Sequence, residues 1–200
     1  MYILLINLLA CALAFLIGAI PFGFIVSKFY KVDIKSAGSG NTGATNVARV
    51  LGKQAGIITL LLDIAKGPVA IIAASQVCTL PGFESLFGVL AVVGHCFSPF
   101  MKFKGGKGVA TSLAVIFSFD FKLGLVAVVV FAIGFMITRI VSLSSLISAA
   151  VVSALSVLFI GSPNDVVYAI WIITFIIFLR HKDNMVRLYN KSENKFSFGK

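Results

Sequence analysis

The chain has 200 residues, of which 59% are hydrophobic and 12% charged, and its mean hydropathy is +1.05. Soluble domains are about 45–50% apolar and about 25% charged, so an ordinary water-soluble fold is excluded and a single integral membrane domain over 1–200 is expected. The net charge of +10 comes from 17 Lys and Arg against 7 Asp and Glu. A chain this apolar has no solvated basic face, so no nucleic-acid partner is expected.

Apolar segments run over 3–26, 55–78, 85–101, 109–119, 121–138, 142–160 and 166–179. Basic residues lie in alternate separators: Lys28, Lys31, Lys35, Arg49 and Lys53 after the first; Lys102, Lys104 and Lys107 after the third; Arg139 after the fifth; Arg180, Lys182, Arg187, Lys191, Lys195 and Lys200 after the seventh. The other separators together hold only Lys122. Positive residues mark the cytoplasmic side. The expected fold is therefore all-α, a polytopic membrane bundle of seven transmembrane helices with the N-terminus outside and the C-terminus cytoplasmic. No basic residue precedes Lys28, so the first segment is expected to be a retained helix rather than a signal peptide. The tail after Asn190 is expected to fray.

The fourth segment is short. Eleven residues at about 1.5 Å each reach about half of a roughly 30 Å hydrocarbon core. Either that helix extends back through the preceding glycines, or the Lys102–Gly108 loop is sunk into the membrane. Irregular backbone at that depth is tolerated only inside protein or beside a wet cavity.

Three polar stretches carry candidate chemistry. In the first, Gly38, Gly40 and Gly43 alternate with Ser39, Asn41, Thr42, Thr45 and Asn46, and Arg49 follows. Glycine-rich turns form concave runs of N–H groups that bind anions, and Arg grips phosphate bidentately. The spacing approaches a nucleotide P-loop, but Ala44 stands where its lysine belongs. In the second, Lys104, Gly105, Gly106, Lys107 and Gly108 open the short fourth segment. A helix N-terminus after such a turn is a natural phosphate seat. In the third, Arg180, Asn184 and Arg187 share a face if the last helix continues, with His181 beside them as an orienting group or base. Ser142, Ser144 and Ser145 open the sixth segment near the same boundary. Asp63 and Lys66 stand at i, i+3 within a membrane span, where ionisable groups are costly and either functional or paired. His95 is expected to be a packing residue.

Cys11, Cys78 and Cys96 are isolated in apolar sequence, and neither a metal cluster nor a cofactor is expected. An anion transporter is the competing reading, but its site belongs near the midplane, and these motifs gather at one face. Acyl-CoA-type acyltransferases rely on an HxxxxD pair, which is missing: Phe100 follows His95 at that spacing and Val186 follows His181.

The stretches GSGNTGATNVARVLGK, GHCFSPFMKFKGGKGVAT and RHKDNMVRL, in this order at membrane boundaries, resemble the bacterial acyl-phosphate:glycerol-3-phosphate acyltransferase family from about residue 15 to 190. The resemblance implies an enzyme of the bacterial cytoplasmic membrane, with its active site facing the cytoplasm. It would transfer a fatty acyl group from acyl phosphate to the 1-hydroxyl of glycerol 3-phosphate, giving lysophosphatidic acid and inorganic phosphate. No cofactor and no obligate protein partner are implied; the expected partners are the two substrates and membrane lipid. Carried over by motif, Ser39, Arg49, Lys107, His181 and Asn184 form the catalytic set. Gly38, Gly40, Asn41, Thr45, Asn46, Lys104, Gly105, Gly106, Gly108, Ser142, Ser145 and Arg180 are expected to contact substrate or phosphate.

Overall fold

The computed structural model describes residues 1–159 and 164–196. Among them every regular element is helical: α1 (Tyr2–Ala19), α2 (Phe22–Phe29), α3 (Ala44–Leu51), α4 (Lys53–Val77), α5 (Glu84–Cys96), a 3-10 turn (Pro99–Met101), α6 (Val109–Phe119), α7 (Phe121–Thr138), α8 (Val141–Phe159), α9 (Asn164–Arg180) and α10 (Lys182–Tyr189). Five stretches are long and apolar enough to cross a membrane: Tyr2–Phe29, Lys53–Val77, Glu84–Met101, Phe121–Thr138 and Val141–Leu158. The pair α9–α10, bent by 60° at its break, makes a sixth if counted as one span. With 11 residues, α6 is too short to qualify by length.

Two of the apolar segments are interrupted. The first apolar segment is broken at Ile20, because Pro21 has no N–H to continue the ladder and restricts the residue before it. The last helix does not continue through His181, so Arg180 does not share a straight face with Asn184 and Arg187.

The bundle is held by close contacts between small residues. Gly18 of α1 lies against the backbone of Ala91 in α5, and Gly94 of α5 lies against Phe15. A β-carbon at either position would enter the neighbouring backbone, so these glycines set the closest approach of the two helices. Around this contact Ala10, Ala14, Phe87, Val92, Val115, Ile173 and others form the main buried apolar cluster. A second cluster joins Ile116, Leu123, Ala127, Val152 and Ile170 across α6 to α9. A third seats the amphipathic α3 through Val47, packed with Val26, Ile34 and Ala55.

One buried ionic cluster lies among α4, α5 and the break after α1. Lys66 Nζ donates to Ile20 O (3.0 Å) and pairs with Asp63 Oδ1 (3.0 Å), while His95 Nδ1 lies 3.6 Å from the same carboxylate oxygen. Thr111 of α6 donates to Asp63 O at 3.0 Å. Ile20 O, at the break, thus accepts from Lys66 as well as from Phe22 N–H (3.1 Å).

Candidate active site

The first glycine-rich loop is wound around one side chain. Asn46 Oδ1 accepts from Ser39 N–H (2.8 Å), and its Nδ2 donates to Ala37 O (3.1 Å) and Asn41 O (2.9 Å). Asn41 Oδ1 accepts from Gly43 N–H at 2.8 Å. Gly38 and Gly40 take φ of 59° and 69°, the left-handed region that glycine enters without penalty. The amide of Asn46 is therefore engaged in shaping the loop. Ser39 is exposed at its rim, Thr45 is half-buried in the first turn of α3, and Arg49 is exposed in its last turn. Lys35 Nζ reaches Met101 O at 3.4 Å and ties this loop to the second.

The second loop does not become helix. Its chain runs irregularly from Lys102 to Gly108, and Gly105, Gly106 and Gly108 are buried in protein. Gly105 N–H donates to Cys96 O and Gly106 N–H to His95 O, both at 3.1 Å. These two amides are thereby committed to the fold. From the other side Arg180 Nη2 donates to Gly105 O (2.8 Å) and Nε to Gly106 O (3.1 Å), with its guanidinium 5.4 Å from the centre of the Phe97 ring. A β-carbon on Gly106 would run into His95 Nε2, so only glycine fits between the histidine and the arginine clamp.

Beyond the clamp, Gly108 caps α6 with φ 86°, and the first intrahelical bond runs from Ser112 N–H to Gly108 O (2.7 Å). The N–H groups of Val109, Ala110 and Thr111 precede that bond, at the positive end of the helix. Lys107 lies next to this turn while Lys104 is exposed. Burial lowers the Lys107 pKa to about 8; Glu193 and Asp183 oppose the shift, and the charges of Arg187 and Arg49 add to it. Lys107 thus feels the charges of cations on α3 and α10.

His181 occupies the bend between α9 and α10 and is almost fully buried. Its Nδ1 lies 2.8 Å from Ile177 O. A carbonyl only accepts, so in the neutral ring Nδ1 carries the hydrogen and Nε2 is left as acceptor. Burial first, and then the charge of Lys107, lower its pKa to about 4.

The tail is docked rather than frayed over the described residues. Glu193 Oε1 accepts from Asn184 Nδ2 (2.6 Å) and Ser142 Oγ (2.9 Å), and Oε2 accepts from Arg187 Nε (2.6 Å). Burial would raise the Glu193 pKa, but Arg187, Asn184 and Ser142 outweigh it and hold the carboxyl low. Phe196 N–H donates to Arg139 O at 2.7 Å, and its ring meets that of Phe135 edge-on. Ser145 Oγ instead returns to Val141 O in its own helix (2.8 Å).

Beside these groups, α6 to α9 line a partly open cavity of about 150 Å³ whose walls are mainly apolar side chains, among them Leu113, Ile116, Val128, Phe131 and Val152. Ser112 and Ser145 line it as well, each in the first turn or so of its helix. Cations and an apolar cavity therefore meet at the start of α6. Among the described residues no group of three or more His, Cys, Asp or Glu is arranged to hold a metal.

A family model described as glycerol-3-phosphate acyltransferase matches residues 8–191. The chain belongs to the glycerol-3-phosphate acyltransferase family. A relative of that name from Endomicrobium trichonymphae is 43% identical over 193 residues, covering 96% of each chain. Another from Enterococcus faecalis is 40% identical, covering 93% of this chain and 90% of its own. Among solved structures, the glycerol 3-phosphate form of PlsY (YgiH), an integral membrane glycerol 3-phosphate acyltransferase, superposes with TM-score 0.88 at 34% identity, covering 96% of both chains. The lysophosphatidic acid form of PlsY gives 0.86 at the same identity and coverage.

In this family member hydrogen bonds join Ser142, Asn184 and Arg187 through Glu193, and the charges of Arg49, Arg187 and Glu193 act on Lys107 as that of Lys107 acts on His181. The structure gives Arg180, Asn46 and the amides of Gly105 and Gly106 partners within the protein itself. Sequence reading singled out neither Glu193 nor Ser112. The one available signal for Glu193 was its isolation as the sole acid after Asn190.

Proposed function

We propose that this chain transfers a fatty acyl group from acyl phosphate to the 1-hydroxyl of glycerol 3-phosphate, releasing lysophosphatidic acid and inorganic phosphate as the first acylation of bacterial phospholipid synthesis. The observation that carries the reading is the meeting of Lys107 and its neighbouring cations with the apolar cavity at the N-terminus of α6. A donor with an anionic head and an alkyl chain suits that junction, and these cations also suit the phosphate of the acceptor. Family membership and the PlsY structures support the acceptor and product. The missing HxxxxD pair supports acyl phosphate over a thioester donor.

The proposed site residues divide by role. Lys107, Arg49 and the free N–H groups of α6 hold phosphate and take up developing charge; Ser39, Asn184 and Ser142 orient the acceptor; Gly38, Gly40, Asn46 and Arg180 keep the loops in shape. The acceptor hydroxyl oxygen bonds to the acyl carbon, the bond from that carbon to the phosphate oxygen breaks, and its electron pair leaves with phosphate. The hydroxyl proton passes to a substrate phosphate, whose second pKa of about 6 suits it to act as the base near neutral pH. His181 Nε2 then serves to orient the hydroxyl. The reading includes seven crossings with the N-terminus outside. It places the chain in the bacterial inner membrane with the basic loops cytoplasmic, following the distribution of Lys and Arg.

The test is turnover of palmitoyl phosphate by Arg49→Ala and Lys107→Ala proteins. Each is expected to lose at least about a hundredfold in kcat/KM, the scale of one lost charge-stabilising donor. Near-wild-type turnover by both would remove these cations from the reaction.

A further inference from the structure

The hydroxyls lining the apolar cavity are not equivalent. Ser145 Oγ donates to Val141 O (2.8 Å), Ser148 Oγ donates to Ala127 O (2.8 Å), and Thr174 shares a 2.5 Å hydrogen bond with Ser153. Ser112 is buried at 1% exposure, yet its Oγ has no hydrogen-bond partner among the described residues. A buried hydroxyl without a partner is destabilising, and native structures keep few of them, often at functional sites.

Its position gives the orphan a use. Ser112 closes the first turn of α6, so its side chain leans back toward the helix N-terminus. A β-carbon built on Gly108 would lie 3.7 Å from Ser112 Oγ, which puts the hydroxyl over the N-cap residue. The N–H groups of Val109, Ala110 and Thr111 open at the same turn, and Lys107 adjoins it. Toward the bundle interior the same serine lines the apolar cavity. Ser112 therefore stands where the cation-rich loop ends and the alkyl-compatible space begins.

We infer that Ser112 is a further catalytic residue, whose hydroxyl donates a hydrogen bond to the carbonyl oxygen of the acyl donor during transfer. The inference rests on the acyl-phosphate reading above. A donor with its chain in the cavity and its phosphate against Lys107 has its carbonyl at the junction between them. When the acceptor hydroxyl adds, the carbonyl π pair moves onto oxygen, and the Ser112 O–H with the α6 N–H groups receives that charge. When the carbon–phosphate oxygen bond breaks, the pair on the carbonyl oxygen re-forms the double bond and phosphate leaves with the bonding pair. Ser112 keeps its proton throughout. Thr111 cannot substitute, because its hydroxyl donates to Asp63 O of α4.

Purified wild-type, Ser112→Ala and Ser112→Thr proteins in lipid nanodiscs, assayed with palmitoyl phosphate and glycerol 3-phosphate, test this. Ser112→Ala is expected to lose about 10²–10³-fold in kcat, as for one preorganised oxyanion donor, with KM for glycerol 3-phosphate unchanged to within about twofold. Ser112→Thr, which keeps the hydroxyl, is expected to recover most of the loss. Should the alanine protein fail to fold, Ser112→Cys preserves size with a weak donor and is expected to show the same kcat loss. Wild-type kcat in a folded alanine or cysteine variant would overturn the inference, as would a defect confined to KM for glycerol 3-phosphate. No turnover of palmitoyl phosphate by the wild type would instead overturn the donor assignment beneath it.

Discussion

Replacing Arg180 by alanine removes two charge-assisted hydrogen bonds, to Gly105 O and Gly106 O, and the guanidinium contact with Phe97. A hydrogen bond to a charged group contributes about 1.5–3 kcal/mol and an exposed cation–π contact about 0.5–1 kcal/mol. Arg180 is only partly buried, so we take the lower end of each range, about 3–4 kcal/mol for holding the loop. At 1.4 kcal/mol per tenfold, the open population of residues 102–108 should rise by roughly 10²–10³. Gly105 and Gly106 N–H are hydrogen-bonded to Cys96 O and His95 O, so their exchange with deuterium reports the opening directly. Protection of a peptide covering the loop should fall by that factor, with a parallel loss in kcat/KM. Arg180→Lys should recover little, because an ammonium does not reproduce a fork that spans two carbonyls. Exchange within about threefold of wild type in the alanine variant would refute the clamp.

Two further outcomes are expected. Burial puts the Lys107 pKa at about 8, so its charge is present below that pH and lost above it. KM for glycerol 3-phosphate measured from pH 7 to 9.5 should rise by up to about tenfold per unit above pH 8, and Lys107→Arg, which stays charged, should flatten that rise. Asp63→Ala leaves the Lys66 ammonium buried beside His95 without its carboxylate and should destabilise the protein by about 3–5 kcal/mol. Thermal unfolding in detergent should show Asp63→Leu/Lys66→Met less impaired than Asp63→Ala alone, and the reverse order would count against the pairing.

Legibility in the sequence followed the range of the forces involved. Long apolar runs are a local signal, and each of the seven expected segments coincides with helix in α1–α2, α4, α5, α6, α7, α8 and α9 over the described residues. Glycine-rich loops at helix starts were visible for the same reason. What local sequence does not encode is the partner of a polar side chain far along the chain. Arg180 finds its carbonyls 74 and 75 residues away, and Ser142 meets Glu193 across 51. Read alone, Arg180 is a cation free to bind phosphate; in the fold its fork is engaged by the second loop. The docked tail was missed because a polar stretch carries no sign of the single carboxylate that anchors it. The bend at His181 was missed because no proline or glycine marks it.

The most direct test of the account is product stoichiometry. Purified protein in nanodiscs should be given glycerol 3-phosphate with palmitoyl phosphate, and separately with palmitoyl-CoA, while lysophosphatidic acid and inorganic phosphate are followed together. One phosphate released per lysophosphatidic acid formed from acyl phosphate, with no product from the thioester, is the predicted result. Lysophosphatidic acid from palmitoyl-CoA without phosphate release would contradict the assignment of the donor and of the phosphate seat at α6.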